Sequence, residues 1–246
     1  MEKKRNIIVG QSGGPTSVIN SSLAGVYKTA KERGFHKVYG MLHGIQGFLD
    51  EQYVDLSTQI HSDMDIELLK RTPSAFLGSC RYKLPEIHEN PDIYDKIFNI
   101  LDKLDIETFI YIGGNDSMDT IKKLSDYAII KGHAQKFLGV PKTIDNDLAL
   151  TDHTPGFGSA AKYIAASTKE VIRDALGLTY HKEMITVIEV MGRNAGWLTG
   201  ATALAKTEEC DGPDLIYLPE LPFDIDKFLK KVQELLKKKE SIVIAV

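Results

Sequence analysis

Residues 136–147 read KFLGVPKTIDND, a short apolar run that passes directly into a lysine, a threonine and two aspartates. A run of this length, bounded by proline and polar residues, is typical of a strand in a parallel sheet. In open parallel sheets the ligand crevice lies at the carboxyl ends of the strands. The stretch therefore predicts an α/β fold whose functional residues lie in the loops that follow strands.

The same pattern recurs along the chain, because short apolar runs alternate with segments of helical period almost from end to end. The predicted strands cover residues 6–9, 37–41, 108–112, 136–140, 184–190, 215–217 and 242–246. The predicted helices cover residues 18–31, 91–104, 118–131, 159–176, 197–205 and 226–239. We predict an α/β fold in which a Rossmann-like parallel sheet is flanked by helices, with a second α/β lobe that is truncated.

Composition narrows the function classes. The 246 residues, 43% hydrophobic and 26% charged, are typical of a globular chain of one large or two smaller domains. A net charge of -4 gives no general attraction to nucleic acid or anionic lipid, so we expect neither nucleic acid nor a membrane as partner. Cys80 and Cys210 lack metal-ligand spacing, which favours a reduced, cytoplasmic protein without structural zinc.

The chain ends inside the apolar run 241–246, and we favour a fragment over a domain that ends on a central strand.

Two loops after predicted strands carry paired glycines. Gly13 and Gly14 follow the first strand, and we expect their backbone N–H groups to approach an anion, with Ser17 capping a helix near Val18. A tight structural turn is the alternative. Residues 113–117, GGNDS, follow a later strand, and their acid and hydroxyl suit a phosphate and its magnesium. Simple capping of the next helix is the alternative there.

Two further loops carry charge. Lys142, Asp145 and Asp147 could supply a counter-charge for phosphate, a base and a magnesium ligand, and a solvated turn is the alternative. Arg193, in the stretch 191–197 that reads MGRNAGW, could fork onto a phosphate, and the alternative is a surface arginine. We expect the tryptophan of that stretch in the core. Because all four loops fall at one edge of the predicted sheet, a phosphate site is favoured.

These loops resemble those of the phosphofructokinases, and the pair PKTIDND and MGRNAGW carries most of the resemblance. By resemblance Asp145 is the base for the 1-hydroxyl of fructose 6-phosphate, Thr143 contacts the transferring phosphoryl group, and Asp147 helps to hold Mg²⁺. The residues at the family's donor site are Gly13, Gly14, Arg81, Asp116, Ser117 and Lys142. The residues at its sugar-phosphate site are Thr143, Asp145, Met191, Gly192, Arg193 and Glu220. Residues 1–140 then form the donor-binding lobe and residues 141–246 the sugar-phosphate lobe, incomplete at its C-terminus.

The family uses ATP or pyrophosphate, and two positions are associated with the choice. ATP users typically carry glycine at both, whereas this chain has Asp116, also a candidate metal ligand, and Lys142, also a candidate catalytic residue. The resemblance therefore implies Mg²⁺-dependent transfer from pyrophosphate to fructose 6-phosphate, and we expect a homo-oligomer. The alternatives are an ATP-dependent 6-phosphofructokinase and a non-catalytic phosphate-binding relative. Asn115 departs from the aspartate that many members carry there.

Overall fold

Residues 5–246 are described in a computed structural model, in which the chain divides into two units, Met1–Lys142 and Thr143–Val246. The first unit is built on a five-stranded sheet of order β3-β2-β1-β4-β5. Its strands are β1 (Asn6–Gln11), β2 (Lys37–Met41), β3 (Tyr53–Asp55), β4 (Ile106–Gly113) and β5 (Lys136–Pro141). Its helices are α1 (Ile19–Glu32), α2 (Gly44–Leu49), α3 (Asp63–Arg71), α4 (Pro91–Lys103) and α5 (Asn115–Lys131).

Both faces of this sheet are covered. Along β4, Phe109 and Tyr111 point into one hydrophobic cluster, whereas Ile110 and Ile112 point into another. This period of two is what a strand buried on both faces requires. The apolar run that the sequence shows at this place is therefore explained by helices on both sides of the sheet.

The second unit has a parallel three-stranded sheet of order β6-β8-β7. The strands are β6 (Met184–Ile188), β7 (Leu215–Ile216) and β8 (Ser241–Ala245), and the helices are α6 (Phe157–Gly177), α7 (Trp197–Ala201) and α8 (Ile225–Leu236). Ile172 of α6 packs with Val243 on one face of β8, and Val232 of α8 packs with Ile244 on the other. The central strand β8 is buried throughout.

The α/β fold is confirmed, with corrections of detail. We placed four loops at the edge of one sheet, but the loop of Arg193 follows β6 in the second sheet. The sequence also missed β3, which is short and antiparallel to β2, together with α2 and α3. Trp197, expected in the core, is 58% exposed and meets Phe157 edge to face. In the part of the chain that is described, no helix is long and apolar enough to cross a membrane.

The predicted cap of α1 is wrong, and the capping alternative considered for residues 113–117 is not realised. Helix α1 begins at Ile19 with Val18 at the N-cap position, and Ser17 does not cap it. Helix α5 begins at Asn115, directly after Gly114, without any side-chain cap. Asp116 and Ser117 therefore lie inside the first turn of α5, where their backbone N–H groups belong to the positive end of the helix dipole.

Candidate active site

Lys142 lies on the glycine pair that follows β1. Its side chain is 4% exposed, and its Nζ atom donates a hydrogen bond to the backbone oxygen of Gly14 at 2.6 Å. A Cβ atom built on Gly13 would lie 3.4 Å from the same Nζ atom. The sequence separates these residues widely, and the parallel pairing of β1, β4 and β5 brings them together at the carboxyl ends of the strands.

Arg81 is a second cation beside the same loop. Its Nη2 atom lies 3.7 Å from the position that a Cβ of Gly14 would occupy, and the residue is exposed. The residues before it are fixed to the loop, because Ser79 Oγ donates to the Gly13 oxygen at 2.5 Å and Gly13 N–H donates to the Cys80 oxygen at 3.0 Å. The amide of Gly13 is thus engaged, contrary to the expectation that it binds the anion. Lys142 and Arg81 are the two cations beside this loop, and their predicted role in binding an anion stays a prediction.

The start of α5 completes this cluster. Lys142 N–H donates to the Gly113 oxygen at 2.9 Å, and a Cβ built on Gly114 would lie 3.6 Å from the Lys142 oxygen. Glycine is required at 113, since a Cβ there would lie 1.9 Å from Ser117 Oγ. Asp116 is exposed in the first turn. All the predicted donor-site residues therefore lie in the first unit around the ends of β1, β4 and β5, and their role stays a prediction.

The buried Tyr111 of β4 contacts residues next to this cluster. Its hydroxyl accepts a hydrogen bond from Ile45 N–H at 3.1 Å, lies 3.7 Å from Cys80 Sγ, and interacts with Ser12. Burial raises the pKa of the Tyr111 phenol well above its usual range, so the group stays neutral. The tyrosine therefore contacts the residues that immediately precede Gly13 and Arg81 in the chain.

The loop of Asp145 begins the second unit and is fixed by a residue that the sequence did not single out. Asn146 has a left-handed backbone (φ 57°), its Nδ2 donates to the Asp152 oxygen at 3.1 Å, and its Oδ1 accepts from Thr154 N–H at 2.8 Å. Thr154 Oγ1 donates to the Thr143 oxygen at 2.7 Å. Asparagine tolerates the left-handed region better than most residues. A rigid loop therefore holds Asp145.

Within that loop, Asp145 N–H donates to Thr143 Oγ1 at 3.1 Å. The Asp145 residue is half-buried, and its Oδ1 atom is shielded from solvent. A carboxylate that is partly shielded and carried on a fixed backbone is suited to take a proton from a bound hydroxyl. The geometry thus agrees with a base at Asp145, while the assignment itself stays a prediction.

The loop after β6 has a conformation that only glycine permits. Gly192 has φ 129°, and a Cβ there would lie 2.5 Å from the Ala195 oxygen. Glu220, which follows β7, accepts a hydrogen bond from Gly196 N–H through Oε1 at 2.7 Å. Arg193 is exposed at the tip of this loop. The structure therefore joins Glu220 to the arginine loop, although they follow different strands.

The two loops of the second unit share a cavity. Ile144, next to Asp145, and Met191, next to Gly192, both line an apolar cavity of about 310 Å³ beside α6. Tyr163 of α6 also lines this cavity. The predicted sugar-phosphate residues are therefore gathered in the second unit.

Asp116 and Asp147 can be tested as candidates for Mg²⁺. Both carboxylates are exposed, and residues 5–246 contain no group of three His, Cys, Asp or Glu side chains able to hold a metal. Mg²⁺ commonly binds through one or two carboxylates, with phosphate oxygens and water completing its octahedron. Taken each in its own unit, Asp116 and Asp147 fit the role of a single carboxylate ligand to a magnesium ion that arrives with a phosphate, and neither belongs to a cage made wholly of protein atoms.

The structure defines an α/β protein with cationic and glycine-rich loops at the carboxyl ends of the strands of its first unit. The chain belongs to the phosphofructokinase family, whose model matches residues 6–246. It is 42% identical over 99% of its length to pyrophosphate–fructose 6-phosphate 1-phosphotransferase of Rhodospirillum rubrum, and 32% identical over 98% to ATP-dependent 6-phosphofructokinase of Glaesserella parasuis. It also resembles the crystal structure of pyrophosphate-dependent phosphofructokinase from Marinobacter aquaeolei, with a TM-score of 0.86, 41% identity and 98% coverage.

This chain is shorter than these relatives. It spans 58% of the Rhodospirillum protein, 68% of the Glaesserella protein and 59% of the Marinobacter chain.

Proposed function

We propose that this protein transfers a phosphoryl group from inorganic pyrophosphate to the 1-hydroxyl of fructose 6-phosphate, giving fructose 1,6-bisphosphate and phosphate. The observation that carries the proposal is the buried Lys142 ammonium on the Gly13–Gly14 loop, with Arg81 beside it. The relatives of higher identity reported above are named for pyrophosphate, and the ATP-dependent relative is less similar. The first unit would then bind the donor and the second the sugar phosphate.

Charge explains the choice of donor. Lys142, Arg81 and the positive end of α5 offset the charge of a compact diphosphate. The carboxylate of Asp116, in the first turn of α5, would repel the additional phosphate of a nucleotide. At an effective dielectric of about 20, one unit charge at roughly 5 Å is worth about 3 kcal/mol. That energy corresponds to about a hundredfold preference.

The transfer step needs a base at the acceptor. Asp145 takes the proton of the 1-hydroxyl, and that oxygen forms a bond to one phosphorus atom of pyrophosphate. The bond from this phosphorus to the bridging oxygen breaks, and the other phosphate leaves with the electron pair. Thr143 contacts the transferring group, and Lys142 precedes Thr143 directly in the chain. Positioning and charge neutralisation supply most of the catalysis in such reactions.

Asp116 of the first unit and Asp147 of the second are each proposed as a carboxylate ligand for Mg²⁺, which phosphate oxygens and water would also bind. When bound, the ion neutralises charge on the transferring and leaving groups. We further propose that the protein works in the cytoplasm as a homo-oligomer, without nucleic acid or a membrane as partner.

Arg193 is proposed to grip the phosphate of the sugar. Replacing Arg193 with alanine is expected to raise the KM for fructose 6-phosphate about thirtyfold, since one charge-assisted hydrogen bond is worth about 2 kcal/mol. The KM for pyrophosphate should stay near the wild-type value. Arg173→Ala is the control, because Arg173 is an exposed arginine of the same unit whose ion pair with Glu209, at 3.1 Å, is also exposed. A defect confined to the donor would contradict the assignment.

The proposed reaction can be followed by ³¹P NMR. The protein is mixed with pyrophosphate, fructose 6-phosphate and Mg²⁺, and the spectra should show fructose 1,6-bisphosphate and phosphate appearing in equal amounts. The same mixture without the sugar phosphate is the control for hydrolysis. Production of phosphate without the bisphosphate, or no consumption of either substrate, would overturn the proposed function.

A further inference from the structure

A buried pair of amide side chains lies behind the candidate donor site. Gln11 is the last residue of β1 and is 0% exposed, and Asn20, in the first turn of α1, is 1% exposed. Gln11 Nε2 donates to Asn20 Oδ1 at 2.9 Å and to the backbone oxygen of Ile19 at 3.1 Å. Burying amide groups is costly unless they are hydrogen-bonded. The remaining donors and acceptors of the pair therefore matter.

Those remaining groups bind the backbone of residues 72–77. Asn20 Nδ2 donates to the oxygens of Thr72 at 2.8 Å and Ser74 at 2.9 Å, and Asn20 Oδ1 accepts from Phe76 N–H at 2.9 Å. Gln11 Oε1 accepts from Leu77 N–H at 2.9 Å. Both donors and the acceptor of each side chain are used, so each amide can lie in only one orientation.

The segment held in this way leads directly to Arg81. Ser74 has φ 65°, a left-handed conformation that costs free energy for a residue with a side chain, and its bond to Asn20 helps to hold it there. Beyond Leu77, the segment rejoins the first loop through Ser79 and Cys80, both hydrogen-bonded to Gly13. The segment is thus fixed at both ends, at residues 72–77 and at Gly13.

We propose that Gln11 and Asn20 are positioning residues, which hold the segment 72–81 so that the Arg81 guanidinium stands ready at Gly14 for the phosphoryl donor. The identity of the ligand at Arg81 rests on the proposed function, whereas the fixation of the segment does not. Arg81 is an exposed residue with a long side chain. The distance of its guanidinium from the Gly13–Gly14 loop therefore depends on where the backbone of residue 81 is held. Prior positioning of this kind lowers the cost of ordering the site when the ligand binds.

Asn20→Asp tests the proposal with almost no change in volume. One carboxylate oxygen can still accept from Phe76 N–H, but the other replaces Nδ2 and faces the carbonyl oxygens of Thr72 and Ser74. We expect faster hydrogen exchange at residues 72–81 and a KM for pyrophosphate raised about tenfold or more. The KM for fructose 6-phosphate should change less than twofold. Asn99→Asp, on the exposed face of α4, adds the same charge and should alter neither quantity.

A matched loss of both substrate affinities, or an unchanged KM for pyrophosphate with faster exchange, would show that the pair is merely structural and would overturn the proposal. If Asn20→Asp does not fold, hydrogen exchange of the wild-type protein tests the proposal instead. The Phe76 and Leu77 amides should then be as protected as those of β1, and adding pyrophosphate should leave them unchanged. Rapid exchange there without the ligand would overturn the proposal. Absence of turnover with protection intact would instead count against the proposed function.

Discussion

Replacing Asp145 with serine is expected to lower kcat for the transfer from pyrophosphate by about 10² to 10⁴, the usual contribution of a general base. The reason is that serine cannot accept the proton of the 1-hydroxyl at neutral pH, while the loop itself is held by Asn146 and Thr154. The KM for fructose 6-phosphate should therefore stay close to the wild-type value. Steady-state kinetics with both substrates varied gives both quantities.

The control for this substitution is Asp152→Ser. Asp152 is an exposed residue of the same unit, and only its backbone oxygen takes part in the hydrogen bond from Asn146. The kcat of Asp152→Ser should remain within about twofold of wild type, because the side chain is exposed and the hydrogen bond from Asn146 is to the backbone oxygen, which serine keeps. If Asp145→Ser keeps more than about a tenth of kcat, Asp145 is not the base.

Removing either charge at the donor site is expected to lower the preference for pyrophosphate over ATP, by raising ATP use in one variant and by lowering pyrophosphate use in the other. Asp116→Asn removes a negative charge and should admit ATP weakly, whereas Lys142→Met keeps the length of the side chain and should lower kcat/KM for pyrophosphate about a hundredfold. Competition assays with both donors at fixed fructose 6-phosphate measure the ratio. Because both residues belong to one small site, the double variant should not equal the sum of the single ones.

An exposed lysine provides the matched control. Lys96→Met removes one positive charge from the exposed face of α4, where Lys96 lines a surface hollow with Glu51, Asp95 and Lys103. It should leave the donor ratio unchanged, since exposed charges are strongly screened by salt. A donor ratio that moves less than threefold in both Asp116→Asn and Lys142→Met would refute the charge argument.

The parts of the fold that the sequence predicts are those with a strong local signal. The apolar run 108–112 predicts the strand that the structure extends to Ile106–Gly113, and the amphipathic period of residues 226–239 predicts helix α8. Helix α3 was not predicted, because its sequence DMDIELLKR is mostly polar, although Ser62 and Asp65 form a capping box at its start. Helix α2 was not predicted, because two glycines lie within it and its N-cap residue has a left-handed backbone conformation.

In the candidate site, too, the residues with a strong local signal were predicted and the others were not. Strand ends rich in glycine and charge pointed to the loops of Gly13, Asp116, Lys142 and Arg193, and the structure gathers the donor residues in one unit. Gln11 and Asn20 were not predicted, because the segment that they bind, residues 72–77, lies more than fifty residues away in the chain. The sequence signal available was the polar Gln11 at the end of the apolar strand β1, and that signal does not indicate which residues Gln11 binds.

The donor preference of the unmodified protein tests the central claim most directly. Initial rates of fructose 1,6-bisphosphate formation are measured with pyrophosphate and with ATP, each with saturating fructose 6-phosphate and Mg²⁺, and kcat/KM is compared. The positions of Lys142, Arg81 and Asp116 predict that pyrophosphate is preferred by at least about a hundredfold. A higher kcat/KM with ATP would contradict the assignment of this site to a diphosphate.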